Sequence, residues 1–233
     1  MAWRYLRSDF PSPLKWLRQT WSYAWRYLAS FVTNQGSTLA ASIGLGAIGG
    51  AAVVGAIRAA QLLQRPISAL QSAGVAAGIA EVSRIRPPDR ATVARKTSKL
   101  TLLLGLAGAA NLVGLLLLPG AIGRMVLGDS WSSARSLLLP LSVQVFLLCI
   151  ATGAQAALVG LKFVRLTLKL DVITTVILIA PPLIGTAIGG ITLGCWALAG
   201  GQLVAMLIWW IVYLRCDVTA PPLDRRGRHA LRG

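Results

Sequence analysis

Residues 84–119 read RIRPPDRATVARKTSKLTLLLGLAGAANLVGLLLLP, and the change from a basic to an apolar segment within this stretch decides the fold. Its first sixteen residues carry six Lys and Arg side chains, whereas residues 100–119 carry no charge. About 20 mainly apolar residues are enough for one helix to cross the hydrocarbon core of a bilayer. The sequence therefore predicts a membrane-spanning helix at about 99–119, preceded by a basic connector.

The same alternation of apolar stretches and connectors runs through the rest of the chain. The 233 residues have a mean hydropathy of +0.67 and are 13% charged, which favours a membrane protein over one soluble domain. We expect an all-α, polytopic fold with one lobe of six transmembrane helices. The predicted spans are 28–49, 51–79, 99–119, 137–160, 167–188 and 191–214.

The segments outside the lobe have their own composition. Residues 1–27 are basic and rich in aromatic side chains, which is typical of a helix in the membrane interface. Residues 215–233 are rich in Pro, Arg and Gly and have no apolar periodicity, so we expect a disordered basic tail.

Basic residues are concentrated in the two ends of the chain and in every second connector. Short loops rich in Lys and Arg stay in the cytoplasm, so we expect both termini there. A net charge of +16 spread in this way indicates contact with anionic membrane lipid and not with nucleic acid. The residues on the predicted cytoplasmic side, 19 of the 23 Lys and Arg, are Arg4, Arg7, Lys15, Arg18, Arg26, Arg84, Arg86, Arg90, Arg95, Lys96, Lys99, Lys162, Arg165, Lys169, Arg215, Arg225, Arg226, Arg228 and Arg232.

Glycine marks the predicted turns and helix contacts. Gly49-Gly50 and Gly189-Gly190 separate consecutive spans without any charge, and glycine accepts the positive φ of a tight reversal. Glycines four residues apart also let helices approach closely in lipid. These pairs are Gly46/Gly50, Gly74/Gly78, Gly185/Gly189 and Gly190/Gly194.

The second predicted span contains a polar stripe. Arg58, Gln61, Arg65, Ser68 and Ser72 fall within less than about 90° of one helix face. An arginine at the bilayer centre costs about 2.5–3.5 kcal/mol on insertion scales, so this face should border water or protein. Guanidinium groups bind phosphate in a bidentate manner, which indicates a cavity for a phosphate-bearing lipid headgroup. Alternatively, Arg65 reaches the cytoplasmic interface and Arg58 pairs with a carbonyl group.

Polar residues in two other spans extend this hypothesis. Asn34 and Thr38 share a face of the first span, and Gln144 and Gln155 share a face of the fourth with Thr152 nearby. They would line an aqueous cleft together with the second span. Each could equally serve as an interhelical hydrogen bond in the membrane. Pro66 should kink the second span, because it lacks an N–H and clashes with the preceding turn.

The residues needed for catalysis or metal binding are missing from the spans. The single histidine, His229, lies in the C-terminal tail, and no two carboxylates share a face. The three cysteines have no metal-ligand spacing. We therefore expect no enzyme, no catalytic residues, no metal and no cofactor. Asp171 is expected to form an interfacial ion pair with Lys169 or Arg165, in preference to a proton or sodium site.

Three segments resemble a known family. They are VGAIRAAQLLQRPISAL (54–70), AEVSRI (80–85) and VLGDSWSSARSLLLP (126–140). Together they are similar to the second half of bacterial polysaccharide flippases, members of the multidrug/oligosaccharidyl-lipid/polysaccharide exporter superfamily. The resemblance covers about residues 15–215. One departure is Ile79-Ala80, which stands where the family often has a proline before the glutamate.

The resemblance implies transport of a lipid-linked saccharide in polysaccharide or lipopolysaccharide biosynthesis. Such proteins carry polyprenyl-pyrophosphate-linked sugars between two six-helix lobes, and by position Arg58 and Arg65 would bind the pyrophosphate. The resemblance also implies a bacterial inner-membrane location. This chain has the length of one lobe, which implies a homodimer, a pairing with a separately encoded first half or a truncated remnant. Alternatives are a drug exporter lobe of the same superfamily, which usually has an acidic residue in a span, and a non-transporting membrane scaffold.

Overall fold

The computed structural model describes Trp21, Gly50 and residues 54–85 and 89–216. These residues form helices and turns without a strand, which confirms the all-α class over the described ranges. The helices are α1 (Val54–Leu63), α2 (Arg65–Ser83), α3 (Arg90–Leu116), α4 (Gly120–Leu127), α5 (Trp131–Gly160) and α6 (Val164–Arg215). A 3-10 turn, Gly128–Ser130, joins α4 to α5.

Three of these helices are long and apolar enough to cross a membrane. They are α3, α5 and the stretch Arg165–Arg215 of α6. The predicted first span, 28–49, lies outside the described residues, as do the interfacial segment 1–27 and nearly all of the C-terminal tail. The predicted second span corresponds to α1 and α2 with a break between them.

The helix α3 begins at Arg90, nine residues before the predicted span. Asp89 provides the N-cap, because its Oδ2 accepts hydrogen bonds from Thr92 N at 2.9 Å and from Thr92 Oγ1 at 2.7 Å. These bonds hold the pKa of the Asp89 carboxyl below its ordinary value. The cap therefore places the basic residues of the connector on the first turns of the same helix that enters the apolar stretch.

The helix α5 is the central element of the described bundle. It contacts α2, α3 and α6, and it is buried on most sides, whereas few residues in the apolar stretches of α3 and α6 are fully buried. Leu137 and Leu141 pack near its beginning against Ala56 and Ala60 of α1. Near its end, Leu158 belongs to a cluster with residues of α2, α3 and α6. A helix that is hydrophobic all round is expected in the interior of a bundle.

The helix α6 consists of two arms, 164–188 and 191–215, that meet at Gly189-Gly190. Gly190 has φ +75° and ψ −175°, a backbone region that is essentially restricted to glycine. A Cβ on Gly201 would lie 2.7 Å from the carbonyl oxygen of Ile177. In a straight helix these two residues would be about 36 Å apart along the axis. The arms therefore fold back on each other, and the predicted reversal is confirmed.

Replacing Gly190 by alanine should destabilise this hairpin. A Cβ at the observed φ and ψ should cost on the order of 1–3 kcal/mol in stability, because side chains are excluded from that backbone region. Thermal unfolding in detergent should show a lower midpoint for Gly190→Ala. Gly200→Ala is the matched control, since a Cβ there meets nothing within 4 Å and the φ is negative. Equal midpoints for the two variants would contradict the observed turn geometry.

Candidate functional site

Close contacts through glycine fix the orientation of α2. A Cβ on Gly74 would lie 2.8 Å from Leu104 Cδ1 of α3, and one on Gly78 would lie 2.8 Å from Ala156 Cβ of α5. The predicted close approach at Gly74/Gly78 is therefore confirmed. Because both glycines face the neighbouring helices, helical geometry determines the direction in which each of the other α2 side chains lies.

Two glutamines on the inner side of α2 form hydrogen bonds with α5. Gln64, only 3% exposed, donates from Nε2 to Ser142 Oγ at 3.4 Å. Gln71 donates from Nε2 to Thr152 Oγ1 at 3.0 Å. These bonds satisfy polar groups that would be costly to leave unpaired inside a membrane.

The sequence analysis missed Gln64 and Gln71, although a signal for them was present. They are seven residues apart, and Gly78 follows after another seven, so all three lie on one helix face. That face is roughly 100° from the arginine stripe. The seven-residue spacing of Gln64, Gln71 and Gly78 predicts that both glutamines face the neighbouring helices with the glycine, whereas the arginines face another direction.

The arginine stripe lies on the exposed side of α1 and α2. All five of its residues are exposed. Neither guanidinium group has an ion pair or hydrogen bond within the described residues. The two serines bond to their own helix: Ser68 Oγ donates to Gln64 O at 3.0 Å, and Ser72 Oγ donates to Ser68 O at 2.9 Å. Arg58, Gln61 and Arg65 are therefore the members available to a ligand.

The helix is interrupted between the two arginines. Gln64 N donates to Gln61 O at 3.1 Å, a bond one residue shorter than the α-helical spacing, and α2 then starts with Pro66 in its first turn. The interruption at Gln64 lies two residues before Pro66, where a kink is expected. It separates α1, which carries Arg58, from α2, which carries Arg65.

The structure describes only some of the other predicted site residues. Gln144 and Gln155 are half-buried on α5, and no hydrogen bond joins their side chains to the stripe in the described part of the chain. Thr152 accepts the bond from Gln71 and donates to Leu148 O at 2.9 Å, so it serves as an interhelical contact. Asn34 and Thr38 lie outside the described residues.

Within the described ranges no group of three His, Cys, Asp or Glu side chains could hold a metal ion. Comparisons with protein-family models, with curated proteins and with solved structures find no match to this chain. Function is therefore inferred from the geometry of α1, α2 and α5 and from the charge pattern.

The hydrogen bond between Gln71 and Thr152 should be measurable as a coupling energy. Gln71→Leu and Thr152→Val should each destabilise the protein, and their double-mutant cycle should give about 0.6 kcal/mol, with an upper limit near 1.7 kcal/mol. The coupling energy is obtained from the free energies of unfolding of the unsubstituted protein, the two single variants and the double variant, each measured by chemical denaturation in micelles. Gln61→Leu, on the exposed face, should show no coupling to Thr152→Val. A coupling as large for Gln61 as for Gln71 would contradict the assigned orientation of α2.

Proposed function

We propose that this chain is one lobe of a bacterial inner-membrane exporter that carries polyprenyl-pyrophosphate-linked saccharides. The observation that carries the proposal is the exposed pair of arginines, Arg58 and Arg65, on otherwise apolar helices. A cationic side chain within a membrane-spanning helix raises the free energy of insertion, and such residues are retained mainly where they line a polar pathway or bind a ligand. The proposal also rests on the resemblance of residues 54–70, 80–85 and 126–140 to polysaccharide flippases.

The spacing of the two guanidinium groups suits a diphosphate. Seven residues separate them, which in a continuous helix would correspond to an axial rise of about 10 Å on one face, and the turn at Gln64 shifts α1 against α2 within this distance. Long arginine side chains can converge over that distance on the two phosphates of one pyrophosphate. Each charge-assisted hydrogen bond contributes about 1.5–3 kcal/mol, so two guanidinium groups would dominate recognition of the headgroup. Gln61, between them, would bind a phosphate or sugar oxygen.

The full topology of this lobe is part of the proposal. The six spans are 28–49, α1 with α2, α3, α5 and the two arms of α6, and both termini face the cytoplasm because of the charge pattern. Asn34, Thr38, Gln144 and Gln155 would then line the path of the saccharide. The polar groups of the first and fourth spans would complete the cleft next to the arginines.

A second lobe would close the site. The arginine face is open in the described residues, and alternating access requires a binding site between two repeats. The second lobe would be another copy of this chain or a separately encoded half-transporter. Substrate would enter from the cytoplasmic side, bind between the lobes and leave on the other side after the lobes rearrange.

A non-transporting membrane scaffold is the second candidate. The observation that favours it is the same exposed face, since a stripe of cations also fits an acidic surface of a neighbouring protein. A truncated remnant or a drug exporter lobe of the same superfamily would have the same fold as the proposed saccharide exporter lobe. Binding of a polyprenyl pyrophosphate distinguishes the saccharide exporter from these alternatives.

Neutralising either arginine should weaken binding of undecaprenyl pyrophosphate by about tenfold or more, because each removes at least one charge-assisted hydrogen bond. Binding to the protein in lipid nanodiscs can be measured by native mass spectrometry for Arg58→Gln and Arg65→Gln. Inorganic pyrophosphate should compete in the unsubstituted protein.

Arg135→Gln is the matched control for these variants. Arg135 is an exposed cation in the first turns of α5, so its removal changes the net charge equally without touching the stripe. It should leave binding within about twofold, a change of less than 0.5 kcal/mol. If all three variants bind undecaprenyl pyrophosphate as tightly as the unsubstituted protein, the saccharide-exporter proposal fails.

A further inference from the structure

A cleft of about 190 Å³ opens between α2, α3 and α5. It lies on the face of α2 opposite Arg65 and Ser72, because Ala77, Gly78 and Glu81 border it. Most of its lining is apolar, including Leu100 and Leu103 of α3. The cleft is therefore a separate feature from the arginine stripe.

A buried hydroxyl group lines this cleft without a hydrogen-bond partner. Thr97 is only 2% exposed, and its Oγ1 makes no hydrogen bond within the described residues. A helical threonine ordinarily donates to a carbonyl three or four residues earlier, and an unsatisfied buried polar group calls for an explanation. A ligand oxygen in the cleft would accept a hydrogen bond from Thr97.

The rim of the cleft has an excess of positive charge. Glu81 Oε2 pairs with Lys96 Nζ at 2.8 Å. Lys99 lines the same cleft and has no ion pair or hydrogen bond in the described part of the chain. Two lysines therefore accompany one carboxylate at the rim.

The position of these charges matches the headgroup region of a membrane. Lys96 and Lys99 lie in the first three turns of α3, directly before its uncharged stretch 100–116. Lysine side chains at such a boundary extend their ammonium groups to the phosphate level and pack their methylene groups on apolar surface. The cleft thus has cations at its rim and hydrocarbon surface along its wall.

We propose that this cleft binds an anionic phospholipid. The phosphate lies against Lys99 at the rim, Thr97 donates a hydrogen bond to an oxygen of the lipid, and the first part of one acyl chain packs on Leu100 and Leu103. The positive surplus at the rim selects acidic headgroups over zwitterionic ones. This inference depends on the contacts of α2 with α3 and does not require Arg58 or Arg65 to bind a substrate.

The test is a lipid titration of the delipidated protein in detergent, followed by native mass spectrometry. Phosphatidylglycerol should bind in preference to phosphatidylcholine. Lys99→Gln should reduce phosphatidylglycerol binding about fivefold, the effect expected for one lysine charge at an anionic surface. Glu81→Gln should increase it, because the rim gains one positive charge. Lys169→Gln, which removes an exposed cation from α6 outside the cleft, should have no effect.

Two further variants test the cleft itself without changing charge. Ala77→Phe should block the opening and reduce binding of phosphatidylglycerol, and Thr97→Val should reduce it by removing the hydroxyl. Thermal unfolding of each variant verifies that it is folded. Equal binding of phosphatidylcholine and phosphatidylglycerol, or unchanged binding in Lys99→Gln and Ala77→Phe, would overturn the proposal. Displacement of phosphatidylglycerol by inorganic phosphate at equal concentration would overturn it as well, since the acyl chain would then contribute nothing.

Discussion

Helix α5 can occupy the centre of this bundle only because small residues, its own and those of its neighbours, lie at the helix contacts. Lipid chains are as apolar as leucine, so close van der Waals packing must hold these helices together in place of the hydrophobic effect. Gly78 of α2 lies against Ala156, and Gly160 of α5 lies against Val82, where a Cβ would be 2.9 Å from Val82 Cβ. Gly153 of α5 likewise has no room for a Cβ next to α3. The positions of α2 and α3 follow from these contacts.

Once α2 is held in this orientation, its three surfaces acquire different environments. The inner surface forms hydrogen bonds with α5 through Gln64 and Gln71. The surface toward α3 borders the cleft with the Glu81–Lys96 ion pair. The remaining surface exposes Arg65, one of the two arginines of the stripe. One helix thus combines packing, a proposed lipid site and a proposed substrate site, which explains why its composition is more polar than that of α5.

Apolar and glycine patterns predicted the all-α class and the reversal in α6, whereas side-chain environments needed the three-dimensional contacts. The reversal at Gly189-Gly190 was predictable because few other residues adopt its backbone angles and no charge lies nearby. The stripe containing Arg58 was predictable from helical periodicity alone. By contrast, Thr152 was grouped with Gln144 and Gln155 from helical geometry, yet it bonds to Gln71 on another helix. Periodicity identifies which residues share a face but not which helix covers it.

Under the proposed function, the open arginine face forms half of a phosphate site that a second lobe completes. The mass of the protein extracted in native lipid nanodiscs, with any co-purifying chain identified, shows whether a second lobe is present. We expect a complex of twice 24.6 kDa, or a stoichiometric complex with another membrane protein of similar size. A monomer of 24.6 kDa with no partner, at every concentration and lipid composition examined, would contradict the proposal.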